Sequence, residues 1–386
     1  MKTTHLTLVR KYVSTLSGFS KALCVLFLFF QVGNAYADWG NGARYLFTLS
    51  DENKAVEVID LKKMEQAGSI NLDHKASSMI ISDALDLLVV GNAEDNSLGL
   101  FYMDDPHTEV KFPVQLSPDY LQLSALDYRV AIYDKGEQKL AVIDLTTGQM
   151  FSMFDNVVGG EKLTFDLNSW VLYSINEESG SIEQYNFLDG KLVDSLDIAN
   201  PQQSLSTMTR SLDGLFGYIS NKDAGEVVVV DLRTFEVVAR IKTGKSPLRP
   251  WGTADGRLMV VANAGSESVS VISTTTKTVM ATWYDVKNPV EIKSGWLDTV
   301  ITIVTSDNLL IVKNRETGQT IEQFELPGTP GDSIITSDSV QFILPIPSTG
   351  EMFIVDLKSK KKIEGVKNLP LDMRQTIIAI SSNACH

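Results

Sequence analysis

Short apolar strands recur along this chain at a near-constant spacing, each closing on a polar residue and most reading as Ile-Asp-Leu or a close variant. The copies are VEVID ending at Asp60, LGLFY at Tyr102, LAVID at Asp144, IEQYN at Asn186, VVVVD at Asp231, VSVIS at Ser273, LLIVK at Lys313 and MFIVD at Asp356. Their end points lie 42, 42, 42, 45, 42, 40 and 43 residues apart. A period of this length with a strand at fixed phase marks blades arranged around an axis, not a helical solenoid. Between Asp231 and Ser273 the unit parses as an outer strand FEVVARI, a Gly/Pro-rich crossing TGKSPLRPWG, a hairpin turn at Ala254-Asp255-Gly256, a strand from Leu258 to Ala262, and the strand VSVIS.

Four short strands per unit predict four-stranded antiparallel blades, and eight units predict an all-β chain forming a single eight-bladed β-propeller. The two ends support closure of the ring. Tyr45 to Leu49 reads as the second strand of a blade with no first strand before it, and Gln375 to Ile380 reads as a first strand with no blade of its own. Pairing the N- and C-terminal strands would complete the first blade and remove two sheet edges that would otherwise invite aggregation.

The first 37 residues stand outside this pattern. Lys2, Arg10, Lys11 and Lys21 precede or flank the apolar run Ala22 to Phe30, and Ala35-Tyr36-Ala37 is a small-x-small cleavage site, so residues 1–37 read as a secretory signal peptide and residues 38–386 as the propeller. The apolar run is shorter than the ~20 residues a membrane helix needs, which predicts an exported chain with no transmembrane segment after cleavage. The full sequence carries 34 basic and 48 acidic residues, a net charge of −14, and the leader contributes four of the basic ones. Such an acidic excess argues against nucleic acid and anionic membranes as partners and favours cationic ones. Of the two cysteines only Cys385 survives cleavage, which excludes an internal disulfide and leaves a disulfide to another chain open.

The stretch TGKSPLRPWGTADGRLMVVANAGSESVSVIST at 243–274, with its Gly-x-x-Pro crossing, Asp-Gly turn and V-x-V-I strand, resembles the YVTN-type propeller repeat; VVGNAEDNS at 89–97 and YISNKDAGEVVVVDL at 218–232 match it less fully. Propellers of this type include secreted surface proteins, lactonase-like enzymes, amine dehydrogenase subunits and haem-binding propellers of nitrite reductases. The resemblance therefore implies a fold and no single activity.

Candidate chemistry falls in three places. The loops between second and third strands should gather on one face and make it acidic, through Asp51, Glu52, Glu94, Asp95, Glu177, Glu178, Asp223 and Glu226 among others. Turn chemistry and solubility also place acids on loops, but such a rim can equally dock a basic protein. The crossing that holds Lys245, Arg249 and Trp251, together with His74 in an earlier crossing, could form a ligand site at the channel mouth, since Arg binds carboxylates through a bidentate fork and histidine can ligate or act as a base. Cys385 and His386 at the chain end could bind a soft metal. No Gly-x-Ser-x-Gly elbow, HExxH pair, phosphate-binding loop or paired-cysteine haem motif is present.

These observations point to a periplasmic or secreted non-catalytic binding or assembly module that docks a partner on its acidic loop face. The alternative is a cofactor-dependent protein, an oxidoreductase subunit or a maturation factor, with haem or a metal ion at the channel mouth. No cofactor is required by the sequence.

Overall fold

The computed structural model describes residues 45–371 apart from 51, 53 and 337, together with the backbone of the strand Ile378–Ile380. The chain forms eight four-stranded antiparallel sheets, each built in sequence order from the channel outward except the first. In that blade the strands Tyr45–Leu49, Ala55–Asp60 and Glu65–Asn71 follow Ile378–Ile380, which pairs with Tyr45–Leu49 at the registers Leu46 with Ile380 and Thr48 with Ile378. The N- and C-terminal strands thus close the ring, as the sequence predicts.

The middle strands are largely apolar at both phases because both their faces are covered. Every residue of Leu87–Asn92 is buried; Leu87 and Val89 face the third blade, whereas Leu88 and Val90 face the first. Side chains alternate across a strand, so a strand packed between two neighbours needs apolar residues at both phases. Among the described residues eight such clusters form, one at each junction between successive blades, including Leu46 and Ile59 against Ile343 and Ile354 at the closing junction. Each fully buried side chain of this size contributes about 1.5–3 kcal/mol. Outer strands such as Lys191–Asp197 have no outer neighbour and are almost wholly exposed.

In most copies the polar residue that closes the repeat caps the turn into the outermost strand. Asp60 Oδ1 accepts from the backbone N–H groups of Lys62 and Lys63 at 2.9 and 3.1 Å, Asp144 Oδ1 from Thr146 and Thr147, Asn186 Oδ1 from Leu188 and Asp189, and Asp231 Oδ1 from Arg233 and Thr234. Short Asx side chains mimic a backbone turn in this way. The geometry corrects the register of the seventh copy, which ends at Asn314 and not at Lys313. Asn314 Oδ1 takes the same two N–H groups, from Glu316 and Thr317, and the steps on either side become 41 and 42 residues. Lys313 is instead fully buried, its ammonium donating to both carboxylate oxygens of Asp285 at 2.7 Å and to Gly318 O and Thr320 Oγ1 at 3.0 Å. A lysine can stand inside the sheet because each of its donors is satisfied.

Neighbouring blades are also clamped at the turns. Asp298 of the seventh blade accepts from the backbone N–H groups of Ala254 and Asp255 in the sixth at 2.9 and 2.7 Å, and Arg315 Nη1 reaches Asp255 Oδ2 at 2.7 Å. Burial works to raise the Asp255 pKa, but hydrogen bonds from Thr253, Arg315 and the Arg257 N–H outweigh it and leave the pKa lowered to about 2. A carboxylate whose folded pKa lies below its unfolded value of ~3.9 stabilises fully above that value, and the contribution is lost as pH falls through the folded pKa. Solvent screening limits the clamp to about 1 kcal/mol. Asp255→Asn should therefore lower stability by that amount at pH 6, with the deficit shrinking between about pH 4 and pH 2; urea midpoints of both proteins at pH 6 and pH 2.5 check this, and a deficit that does not change with pH contradicts it.

Candidate functional site

In an antiparallel blade the chain enters along the innermost strand, so the crossings between blades and the hairpins between second and third strands share one face, and the remaining turns share the other. Contacts between crossings and hairpins establish this arrangement. Ser117 N–H donates to Asp134 Oδ2 at 2.9 Å, Lys135 N–H to Asp119 Oδ2 at 2.9 Å, Ser204 N–H to Asp223 Oδ2 at 2.6 Å, and Leu205 N–H to Glu177 Oε1 at 2.6 Å. Several acids of the loop face thus tie a crossing to a hairpin, and Glu177 joins its hairpin to the crossing into the next blade, roles that sequence reading missed. No spacing signals them, since the bonded residues lie 17, 16, 19 and 28 positions apart.

The predicted acidic residues divide by what holds them. Glu94 and Glu178 are exposed and make no ion pair among the described residues, and Glu52 is exposed beside them in the first blade's hairpin. Asp95 is bound by Lys111 and Ser97, and the hydrogen bond from Lys111 is the main reason its pKa is lowered. Burial tends to raise Glu177, but bonds from Lys162, at 2.7 Å, and the Leu205 N–H prevail and lower it. Glu226 is buried, not presented at the surface; it accepts from Lys242 at 2.9 Å and Arg240 at 2.8 Å, which outweigh burial and lower its pKa. These carboxylates stay ionised at neutral pH, yet Glu226 is neutralised by its two cations and adds nothing to a docking rim. Asp51, Cys385 and His386 lie outside the described residues.

The residues expected together at the channel mouth are separated. His74 Nε2 stands 3.7 Å from Asp95 Oδ2, beside the outer-strand cation Lys111, so it belongs to the outer edge of the loop face and not to the channel. Lys245 is exposed on its crossing, where its N–H donates to Ser266 Oγ at 3.0 Å. Arg249 and Trp251 do reach the inner wall. The Arg249 guanidinium donates through Nε to Thr209 Oγ1 at 3.1 Å and through Nη2 to Met208 O at 3.4 Å, and Trp251 Nε1 donates to Ser294 Oγ at 3.2 Å.

Arg249 is accessible to solvent but enclosed by protein, and this enclosure lowers its pKa while Tyr120 works to raise it. Tyr120 lies on the innermost strand of the third blade and Arg249 precedes that of the sixth, so the two interact across the channel. Burial raises the Tyr120 pKa against the field of Arg249. Further round, Lys293 pairs with Glu291 at 2.9 Å and sits 5.4 Å from the centre of the Trp251 ring, while burial and then Glu291 raise the Asp332 pKa. Arg249 makes no ion pair among the described residues, which leaves it able to take a carboxylate. Among the described residues no three histidine, cysteine or acidic groups are arranged to hold a metal.

No protein-family profile and no curated protein sequence matches the chain. Solved structures do. It is similar to dihydro-heme d1 dehydrogenase NirN in complex with DHE, with a TM-score of 0.67 and 14% identity over 88% of this chain and 76% of that one. It is similar to apo AztD from Citrobacter koseri, TM-score 0.61 and 13% identity over 87% and 97% of the two chains, and to BamB from Moraxella catarrhalis, TM-score 0.59 and 13% identity over 80% and 90%. The shared feature is the β-propeller fold. At such identities the likeness carries no activity with it. Among the described residues no helix is long and apolar enough to cross a membrane.

Proposed function

We propose that the chain is a secreted or periplasmic propeller of the YVTN type that works as a non-catalytic binding and assembly module, docking a basic protein partner on its acidic loop face. The observation that carries this reading is the pair of exposed carboxylates Glu94 and Glu178, set on hairpins two blades apart and flanked by Asp95, Glu177 and Asp223, whose side chains are already held by hydrogen bonds. A rigid acidic rim steers a cationic partner and loses little side-chain freedom when it docks. The channel reading has less support, because His74 and Lys245 stand apart from Arg249 and Trp251.

A photo-crosslinking side chain placed at Glu94 or Glu178 in the native host should yield one discrete adduct with a basic protein. The charge reversals Glu94→Lys and Glu178→Lys, with the crosslinker moved to Glu52, should reduce that adduct by about ten-fold, as should raising the salt. An adduct that forms equally with reversed charges would overturn the acidic-face reading.

A further inference from the structure

The face opposite the acidic rim carries an apolar surface built by repetition of one turn. Where the innermost strand turns into the second, Leu126, Leu167, Leu212 and Leu297 each stand immediately before an Asp or Asn, namely Asp127, Asn168, Asp213 and Asp298. Their exposure runs from 39% for Leu167 to 72% for Leu297, and Trp170 and Leu215 beside them are about half exposed at 49% and 47%. The acid has structural work at two of these turns: Asp213 Oδ1 accepts the Leu215 N–H at 3.0 Å, and Asp298 accepts from Ala254 and Asp255 of the preceding blade. Nothing in the turn requires the leucine.

The turns of the third to sixth blades are continuous. Leu126 N–H donates to Ser169 Oγ of the next turn at 3.3 Å, the Leu167 side chain lies over Gly214, and Leu212 lies over Gly256. Trp170 is held against the buried Arg129 guanidinium, 4.8 Å from its ring. Beyond Leu212 the stripe opens into a groove of about 490 Å³ lined by Asp213, Phe216, Tyr218, Asp255 and Lys277 among others. Tyr218 is fully buried and its hydroxyl has no hydrogen-bond partner. A buried hydroxyl without a partner is costly. Lys277 is drawn onto the Phe216 ring at 3.9 Å and is thereby partly withdrawn from the groove.

We propose that this stripe and groove form a second docking site, for an amphipathic basic segment of a partner protein. Soluble proteins rarely leave a contiguous apolar surface of this kind uncovered. The charges that flank it from the third to the fifth blade are Asp127, Asp166, Asp189 and Asp213 against Lys191, the exposed base Arg233 is paired with Asp231 at 3.9 Å, and at the groove Arg257 stands 3.9 Å from Asp255. The hydrogen bond from Ser211 lowers the Asp213 pKa, so that charge is present at neutral pH. An acidic margin repels a second copy of the same face and an anionic lipid surface, and attracts lysine and arginine set beside apolar anchors. A segment seated in the groove would also offer a polar group to the Tyr218 hydroxyl.

The test uses the mature chain and a fluorescent 18-residue peptide of leucine and lysine at helical period, with a leucine–glutamate peptide of the same pattern as control. Fluorescence anisotropy, run in a Glu94→Lys/Glu178→Lys background that removes the loop face as a cation site, should show binding of the lysine peptide that weakens at least about ten-fold when Leu167→Ser/Leu212→Ser is added. Because the two leucines are exposed, the double variant keeps the fold, and Leu126→Ser provides an independent second position. The proposal is overturned if the serine variant binds as tightly as the parent, if the glutamate peptide binds equally, or if the loop-face variant loses the peptide instead. It is also overturned if ultracentrifugation shows a dimer that the serine substitutions dissolve, or if anionic vesicles bind through these leucines. Failure here leaves the loop-face reading standing, since that rests on different residues.

Discussion

A chain ending at Leu371 is expected to lose most of its stability, because it lacks the strand that closes the ring. Ile378–Ile380 supplies the innermost strand of the first blade through its registers with Leu46, Phe47 and Thr48. Without it those residues present an unpaired edge, and the junction at which Leu46 and Ile59 meet Ile343 and Ile354 loses its support on the channel side. Open edges of apolar strands pair with other chains. Every other blade owns its four strands in sequence order, so the damage begins at one junction and propagates by letting the first and last blades part. The expected cost exceeds about 4 kcal/mol, beyond the range of ordinary single substitutions, and should appear as a drop in soluble monomer and in the urea midpoint. Supplying residues 372–386 as a separate peptide should restore part of the loss. A truncated chain with an unchanged midpoint would show that closure contributes nothing.

Replacement of Gly159 by alanine is expected to cost about 3–5 kcal/mol, the largest effect of any single methyl group considered. Gly159 lies in the crossing into the fourth blade with φ of +75°, a left-handed conformation that disfavours a side chain. A Cβ there would also overlap the carbonyl oxygen of Ile175, which belongs to the buried second strand of that blade. A strand backbone packed between two blades cannot retreat as a flexible side chain can. Gly136 is the matched control: its φ is not left-handed, and an added Cβ would meet only Asp134 Oδ1 at 3.5 Å, so Gly136→Ala should change stability by less than about 0.5 kcal/mol. Urea denaturation of the two variants beside the parent compares them directly. Equal midpoints would show that the crossing adapts.

The eight-bladed ring could be read from the chain because what specifies it is local. A strand needs a few apolar residues at a set phase, a turn needs an Asp or Asn to cap it, and both recur at a period that linear spacing displays. Closure was legible for the same reason, since Tyr45 to Leu49 arrives without the strand that must precede it. The register of the seventh copy was not, because Lys313 and Asn314 are adjacent polar residues, and which of them caps the turn depends on Asp285, 28 residues away, accepting the lysine. The roles of the acidic loops were hidden in the same way. Glu94 and Glu226 are both glutamates of second-to-third-strand hairpins, but packing leaves one at the surface and encloses the other between Arg240 and Lys242. His74 and Arg249 both occupy crossings, and only the second lies at the wall of the channel. Composition and periodicity act within a strand or a turn. Burial and charge pairing join residues from different strands and successive blades, and a side chain's neighbours exist only once the ring has closed.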